Sequence, residues 1–140
     1  MSGFSTHLAQ KIINHFYRNS AQAATAATYL ALFVADPTDD NITANEVSAD
    51  WYSRQLVASW AAPQQRDDYV FFSNSNEIRF NAVTGNAVVV SHYGIYDALE
   101  SGNLMDSGLL VNISGVATPR TLNTDDVFVI RAGELVLKYK

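Results

Sequence analysis

Three histidines, His7, His15 and His92, are the first residues to test for chemistry. His7 and His15 lie eight apart in a stretch with helical periodicity. They are two turns distant there, so a single helix cannot bring both to one metal ion. His92 sits in a β-branched and aromatic run and lacks a second His, Cys or carboxylate at ligand spacing. Ser91 precedes it, but neighbours on a strand point to opposite faces, so no serine–histidine couple is expected. The carboxylates gather at Asp36/Asp39/Asp40, Asp67/Asp68 and Asp125/Asp126. The first group offers oxygen ligands without the central glycine or the spacing of an EF-hand loop. Asp in such loops more often accepts backbone N–H groups and shapes a turn. There is no G-x-S-x-G elbow and no glycine-rich phosphate loop. Nothing singles out a pair of carboxylates for glycoside hydrolysis. The expectation is a protein that is not an enzyme, with no catalytic, cofactor-binding or metal-binding residue and no cofactor.

The elements around these residues are mostly strands. Val88–Asp97 is rich in residues that suit a pleated, half-buried surface, and Leu104–Leu110 returns beside it. The turn between them, Glu100-Ser101-Gly102-Asn103, has the residues that accept positive φ. Ser5–Arg18 reads as a helix capped by Ser5 or Thr6. Leu8, Ile12, Ile13 and Phe16 give it one apolar stripe, and a helix so short must dock to be stable. Tyr29–Val34 is apolar on both faces and ends at Asp36-Pro37, as a doubly buried strand does. Trp51–Trp60 alternates, with Tyr52, Leu56, Ala58 and Trp60 inward and Arg54 the exception on that face. Gln64–Asp68 reads as a loop. Tyr69–Phe72, Glu77–Phe80, Pro119–Leu122, Val127–Arg131 and Glu134–Tyr139 are further short strands. Asn112–Ala117 reads as a loop. The whole predicts one domain over residues 1–140, a leading helix within 1–20 and a β-sandwich over 27–140. Its fold class is mainly β: an antiparallel sandwich of jelly-roll or Greek-key type, with about eight strands.

Composition narrows the partners. Charged residues make up 16% of the 140-residue chain, against about 25% in an average domain. Part of the outside is therefore expected to be covered by another protein. The net charge is −5 and the nine Lys and Arg form no block, which argues against nucleic acid. No apolar run reaches the roughly 18 residues of a membrane span. The N-terminus lacks the charged and apolar regions of a signal peptide, so synthesis in a cytoplasm is expected. With no cysteine there is no disulfide and no thiolate site. The candidate self- or partner-contacts are Leu8, Ile12 and Phe16 on the helix stripe. Trp51, beside Asp50 at a strand start, is the fourth candidate, because aromatics anchor interfaces.

A set of ordered motifs adds to this reading. They are Tyr29-Leu30-Ala31-Leu32-Phe33 with Ala35-Asp36-Pro37-Thr38, Glu46-Val47, Tyr52-Ser53-Arg54-Gln55 and Asn76-Glu77-Ile78-Arg79-Phe80. They continue as His92-Tyr93-Gly94-Ile95-Tyr96-Asp97, Gly102-Asn103-Leu104, Pro119-Arg120 and Val129-Ile130-Arg131-Ala132-Gly133-Glu134-Leu135. In this order and spacing the chain resembles a family of small virion structural proteins of tailed bacteriophages, tail-fibre-like and decoration-like. It is similar in this respect to the capsid cement protein of a Bordetella bacteriophage. The resemblance spans nearly the whole chain and departs at Asp50-Trp51-Tyr52, where the family tends to approach Tyr-x-Arg-Gln through glycines. It implies a non-enzymatic cement on the outer capsid surface of the virion. There it would clamp neighbouring copies of the major capsid protein, as a homodimer at two-fold positions, without nucleic acid or membrane. The alternative it implies is a tail-fibre or minor tail structural protein involved in host attachment.

Overall fold

The computed structural model describes residues 3–112 and 114–140. Residues 1–2 of the expected helical segment and residue 113 of the expected 112–117 loop lie outside them. The chain opens with β1 (Gly3–Phe4) and α1 (Thr6–Ile12), and a π-helical turn over Ile13–Tyr17 prolongs α1. After these come β2 (Thr28–Phe33), β3 (Gln55–Val57), β4 (Gln64–Arg66), β5 (Tyr69–Ser73), β6 (Ile78–Arg79) and β7 (Val88–Val90). The last five strands are β8 (His92–Tyr96), β9 (Leu104–Leu109), β10 (Arg120–Leu122), β11 (Val129–Ile130) and β12 (Val136–Tyr139). A five-stranded sheet runs β1-β9-β8-β2-β3, and the smaller sheets are β10-β7, β11-β6 and β12-β5-β4. Every pairing is antiparallel.

Leu30 and Leu32 of β2 and Ile95 of β8 face one core. Ile78, Val90, Ile130 and Leu137 reach it from the smaller sheets. This is the layered sandwich that the period-2 patterning predicts. The other face of the large sheet buries Ala31, Phe33, Tyr96 and Leu104. Gly94 lets these side chains close over the strand, because a Cβ there would stand 2.8 Å from Phe33 Cε2 and 2.9 Å from Leu104 Cδ1. At the hairpin turn Gly102 takes φ of 73°, as its type predicts, and the second positive φ, 53°, falls on Ser101 rather than on Asn103.

Four local readings are corrected. Val88–Asp97 is two strands. β7 pairs with β10, whereas β8 pairs with β2 and β9, so the chain passes between sheets at Ser91. The expected strand over Trp51–Trp60 shrinks to β3, and its phase slips. Arg54 and Val57 are both buried and Leu56 is exposed, so strict alternation breaks between Arg54 and Val57. Gln64–Asp68 is half a hairpin: β4 pairs with β5 across Asp67, whose φ is 51°, a value Asp tolerates. The helix keeps α geometry only to Ile12. Ile13–Tyr17 forms a π turn in which the Arg18 N–H reaches the Ile13 carbonyl at 3.1 Å, and Phe16 and Tyr17 in it are exposed.

Candidate interaction surface

The motif residues converge on a buried polar knot rather than on a cleft. Arg54 grips Glu46 with both arms, Nε to Oε1 and Nη2 to Oε2, each at 2.9 Å. Its Nη1 donates to the carbonyls of Ala98 and Ser101 at 3.0 and 2.7 Å, which pins the β8–β9 turn. The guanidinium carbon sits 3.5 Å from the centre of the Tyr96 ring. Tyr52 donates to Glu46 Oε1 at 2.7 Å and accepts from the Leu32 N–H at 3.1 Å. Burial, reinforced by the Glu46 carboxylate, pushes the Tyr52 phenol far up and the Tyr96 phenol up to about 12. Burial opposes the Arg54 charge, but the Glu46 hydrogen bonds and charge outweigh it and hold the guanidinium above its usual value. The apolar-face exception in the sequence is thus the centre of this knot. A bidentate pair that fills its remaining donors from backbone carbonyls is built to fix a shape.

A second buried acid escaped the sequence reading. Asp106 of β9 is 1% exposed. The Tyr139 hydroxyl donates to Oδ2, and the Tyr93 hydroxyl to Oδ1 at 3.5 Å. Burial raises its carboxyl to about 7, partly offset by those hydroxyls. The signal was a lone Asp in an apolar strand. Asn74, 1% exposed, is comparable: its amide donates to the Asn76 and Arg131 carbonyls and accepts from the Leu135 N–H.

The histidines fall in three different settings. His92 Nδ1 lies 2.8 Å from Ser91 Oγ. This corrects the expectation that the two diverge, since the change of sheet at Ser91 breaks the alternation the expectation relied on. His15 Nδ1 accepts from the Gln22 N–H at 3.2 Å. His7 Nε2 is buried without a hydrogen-bond partner among the described residues. Among those residues no three His, Asp or Glu groups converge as a metal site. The loop carboxylates shape turns. Asp36 accepts from the Thr38 N–H, Asp97 from the Asn103 N–H and Asp126 from the Asn123 N–H.

The candidate contacts separate. Trp51 is 5% exposed and packs in the core, edge-on to Tyr52, so it offers no ring to a partner. That reading of Trp51 is corrected: Val47, Val83 and Phe80 share its cluster and need its bulk. Leu8 and Ile12 are half-buried, whereas Phe16 is 76% exposed, with Ile13 and Tyr17 beside it also bare. The expected stripe thus has a half-buried part, Leu8 and Ile12, and an exposed part, Ile13 and Phe16. Across the molecule an open groove of about 840 Å³ runs between the end of β9 and β12, lined by Leu109, Val136, Tyr69, Phe71, Arg66 and Arg120 among others. The molecule thus presents bare apolar faces on a stiffened body.

Residues 3–138 match the family model described as podophage GP4 fiber I protein gp80. The chain belongs to that family. It is a bacteriophage virion structural protein. No curated protein matches it. Among the described residues no helix of this family member is long and apolar enough to cross a membrane.

Proposed function

We propose that this chain is a non-enzymatic subunit of the phage tail-fibre apparatus, which works by holding other virion proteins and pairing with itself. The match to a fibre family across residues 3–138 carries the reading. The Arg54 knot supports it, since its polar groups stiffen the body instead of facing a substrate. A second reading is a capsid cement on the outer head surface that clamps neighbouring major capsid proteins. The ordered motifs and their likeness to a Bordetella cement protein favour it. Neither reading involves nucleic acid, membrane or cofactor.

The test is a cryo-electron microscopy comparison of wild-type particles with particles from a phage that lacks this chain. Density missing at the tail periphery is the expected result. Density missing from the outer head selects the cement reading. Identical particles would overturn both.

A further inference from the structure

The β12-β5-β4 sheet turns one face away from the core. Its register puts Val136 and Lys138 of β12, Tyr69 and Phe71 of β5 and Arg66 of β4 together on that face. Leu137, between Val136 and Lys138, takes the core side. The Tyr69 and Phe71 rings stand 6.0 Å apart. The Arg66 guanidinium lies 5.4 Å from the centre of the Phe71 ring, and the Lys138 ammonium 5.3 Å from that of Tyr69. All five residues line the groove of about 840 Å³, a size within the range of ligand sites. On its β9 side stand Leu109 and Val111, 50% and 46% exposed. Leu110, Phe128 and Ile130, at 8–9% the most exposed members of the main core, line it too, so the core is least closed here. Among the described residues the groove has three cations, Arg66, Arg120 and Lys138, against one acid, Glu134, a net +2. The rest of the chain then holds six bases and thirteen acids, a net −7. Neither Arg66 nor Arg120 has an ion-pair partner among the described residues. Acceptors in the groove are already engaged: Glu134 Oε2 accepts from the Arg131 N–H, and Asn112 Oδ1 from those of Ser114 and Val116.

We propose that this groove docks an acidic, partly apolar segment of another virion protein. Its carboxylates meet Arg66, Arg120 and Lys138, and its apolar side chains cover the opening over Leu110, Phe128 and Ile130. Charge carries the choice of occupant, because a cationic groove on an otherwise acidic chain attracts an anionic partner and repels a cationic one. A saccharide fits less well. Its hydroxyls need acceptors as well as donors, and the groove is rich in donors with its acceptors engaged. A concave site takes a protruding segment rather than a flat face, and alternate side chains of an extended segment can reach cations and apolar walls separately. The inference rests on the reading of the chain as a subunit that holds other virion proteins, and it names where and by what chemistry it holds one.

The test measures fluorescence anisotropy of short labelled peptides added to the full chain. A peptide alternating valine and glutamate should bind with a dissociation constant of about 100 µM or lower. Peptides alternating valine and lysine, or serine and glutamate, should bind about tenfold more weakly or worse. So should an oligogalacturonate, which carries carboxylates without apolar side chains. Affinity for the first peptide should fall as salt rises from about 50 to about 500 mM, because the ion pairs sit at the surface. Arg66→Glu and Lys138→Glu should each weaken it about tenfold, whereas Arg18→Glu, the same charge change on the helix, should leave it within about twofold. Arg66 and Lys138 are exposed, so unchanged circular dichroism serves as the folding control. In particles, a photo-crosslinking benzoylphenylalanine in place of Leu109 should join this chain to an acidic stretch of a different virion protein, read by mass spectrometry. No binding, equal binding of the three peptides, tighter binding of the oligogalacturonate, or cross-links only between copies of this chain would each overturn the docking. Failure here and failure of the virion reading are separable: the particle maps decide the latter whatever the peptides do.

Discussion

Arg54 and Asp106 are two buried charges handled in opposite ways. Arg54 is fully partnered and 6% exposed, so removing it leaves the half-buried Glu46 carboxylate without its countercharge. Arg54→Ala should cost about 3–5 kcal/mol in urea unfolding, as breaking a buried pair does. Arg54→Lys should recover only part of this, because an ammonium cannot grip both carboxylate oxygens and two carbonyls in one plane. Asp106 instead relies on phenol donors. Unfolded, its carboxyl titrates near about 3.9; folded, it is raised to about 7. Between those values the unfolded chain has released a proton that the folded chain still holds, so stability falls as pH rises through the window and levels off above it. Asp106→Asn, which cannot ionise, should lack this fall. The difference in unfolding midpoint between variant and wild type should therefore move in the variant's favour from pH 4 to pH 8. A constant difference would exclude the mechanism.

Elements here are short, and their ends carry much of their stability. Ser5 caps α1 by accepting from the Leu8 N–H at 3.1 Å while donating to the Leu104 carbonyl. Ser5→Ala should cost about 1 kcal/mol or more, since it removes a cap and a link to β9. Amide exchange should show the loss first in the Thr6–Ile12 helix. Gly102 ends the β8–β9 hairpin at φ 73°, and a Cβ would stand 2.6 Å from that of Ala98. Gly102→Ala should destabilise by about 1–2 kcal/mol from the left-handed backbone alone. It should also disturb the Ser101 carbonyl that Arg54 holds. Four of the ordered motifs meet in this one joint, through Glu46, Tyr52, Arg54, Tyr96 and the Gly102 turn.

The whole molecule is stitched by pairings remote in sequence. Gly3 lies opposite Ser107, and Phe72 opposite Leu137. Such long loops must close before contacts reward them, so refolding in milliseconds to seconds is expected by stopped-flow fluorescence. Leu137, 2% exposed, joins the layers, and Leu137→Ala should cost about 2–5 kcal/mol. In the folded body the Ile13/Phe16/Tyr17 face and the β9–β12 groove stay open at the surface.

The residues alone determined the class. Period-2 apolar runs between Gly, Asn and Asp turns can bury one face only in an antiparallel sandwich, and the Ser5–Arg18 stripe can only be a helix. The alternation over Glu77–Phe80 also put Ile78 and Phe80 inward, and the structure buries both. What they could not determine was anything set by contacts between distant segments. The passage between sheets at Ser91, the meeting of Arg54 with Glu46 and the β8–β9 turn, and the burial of Trp51 and Asp106 all depend on which strands become neighbours. Alternation along one strand holds no information about the partner across it, so those positions were decided only when the layers closed.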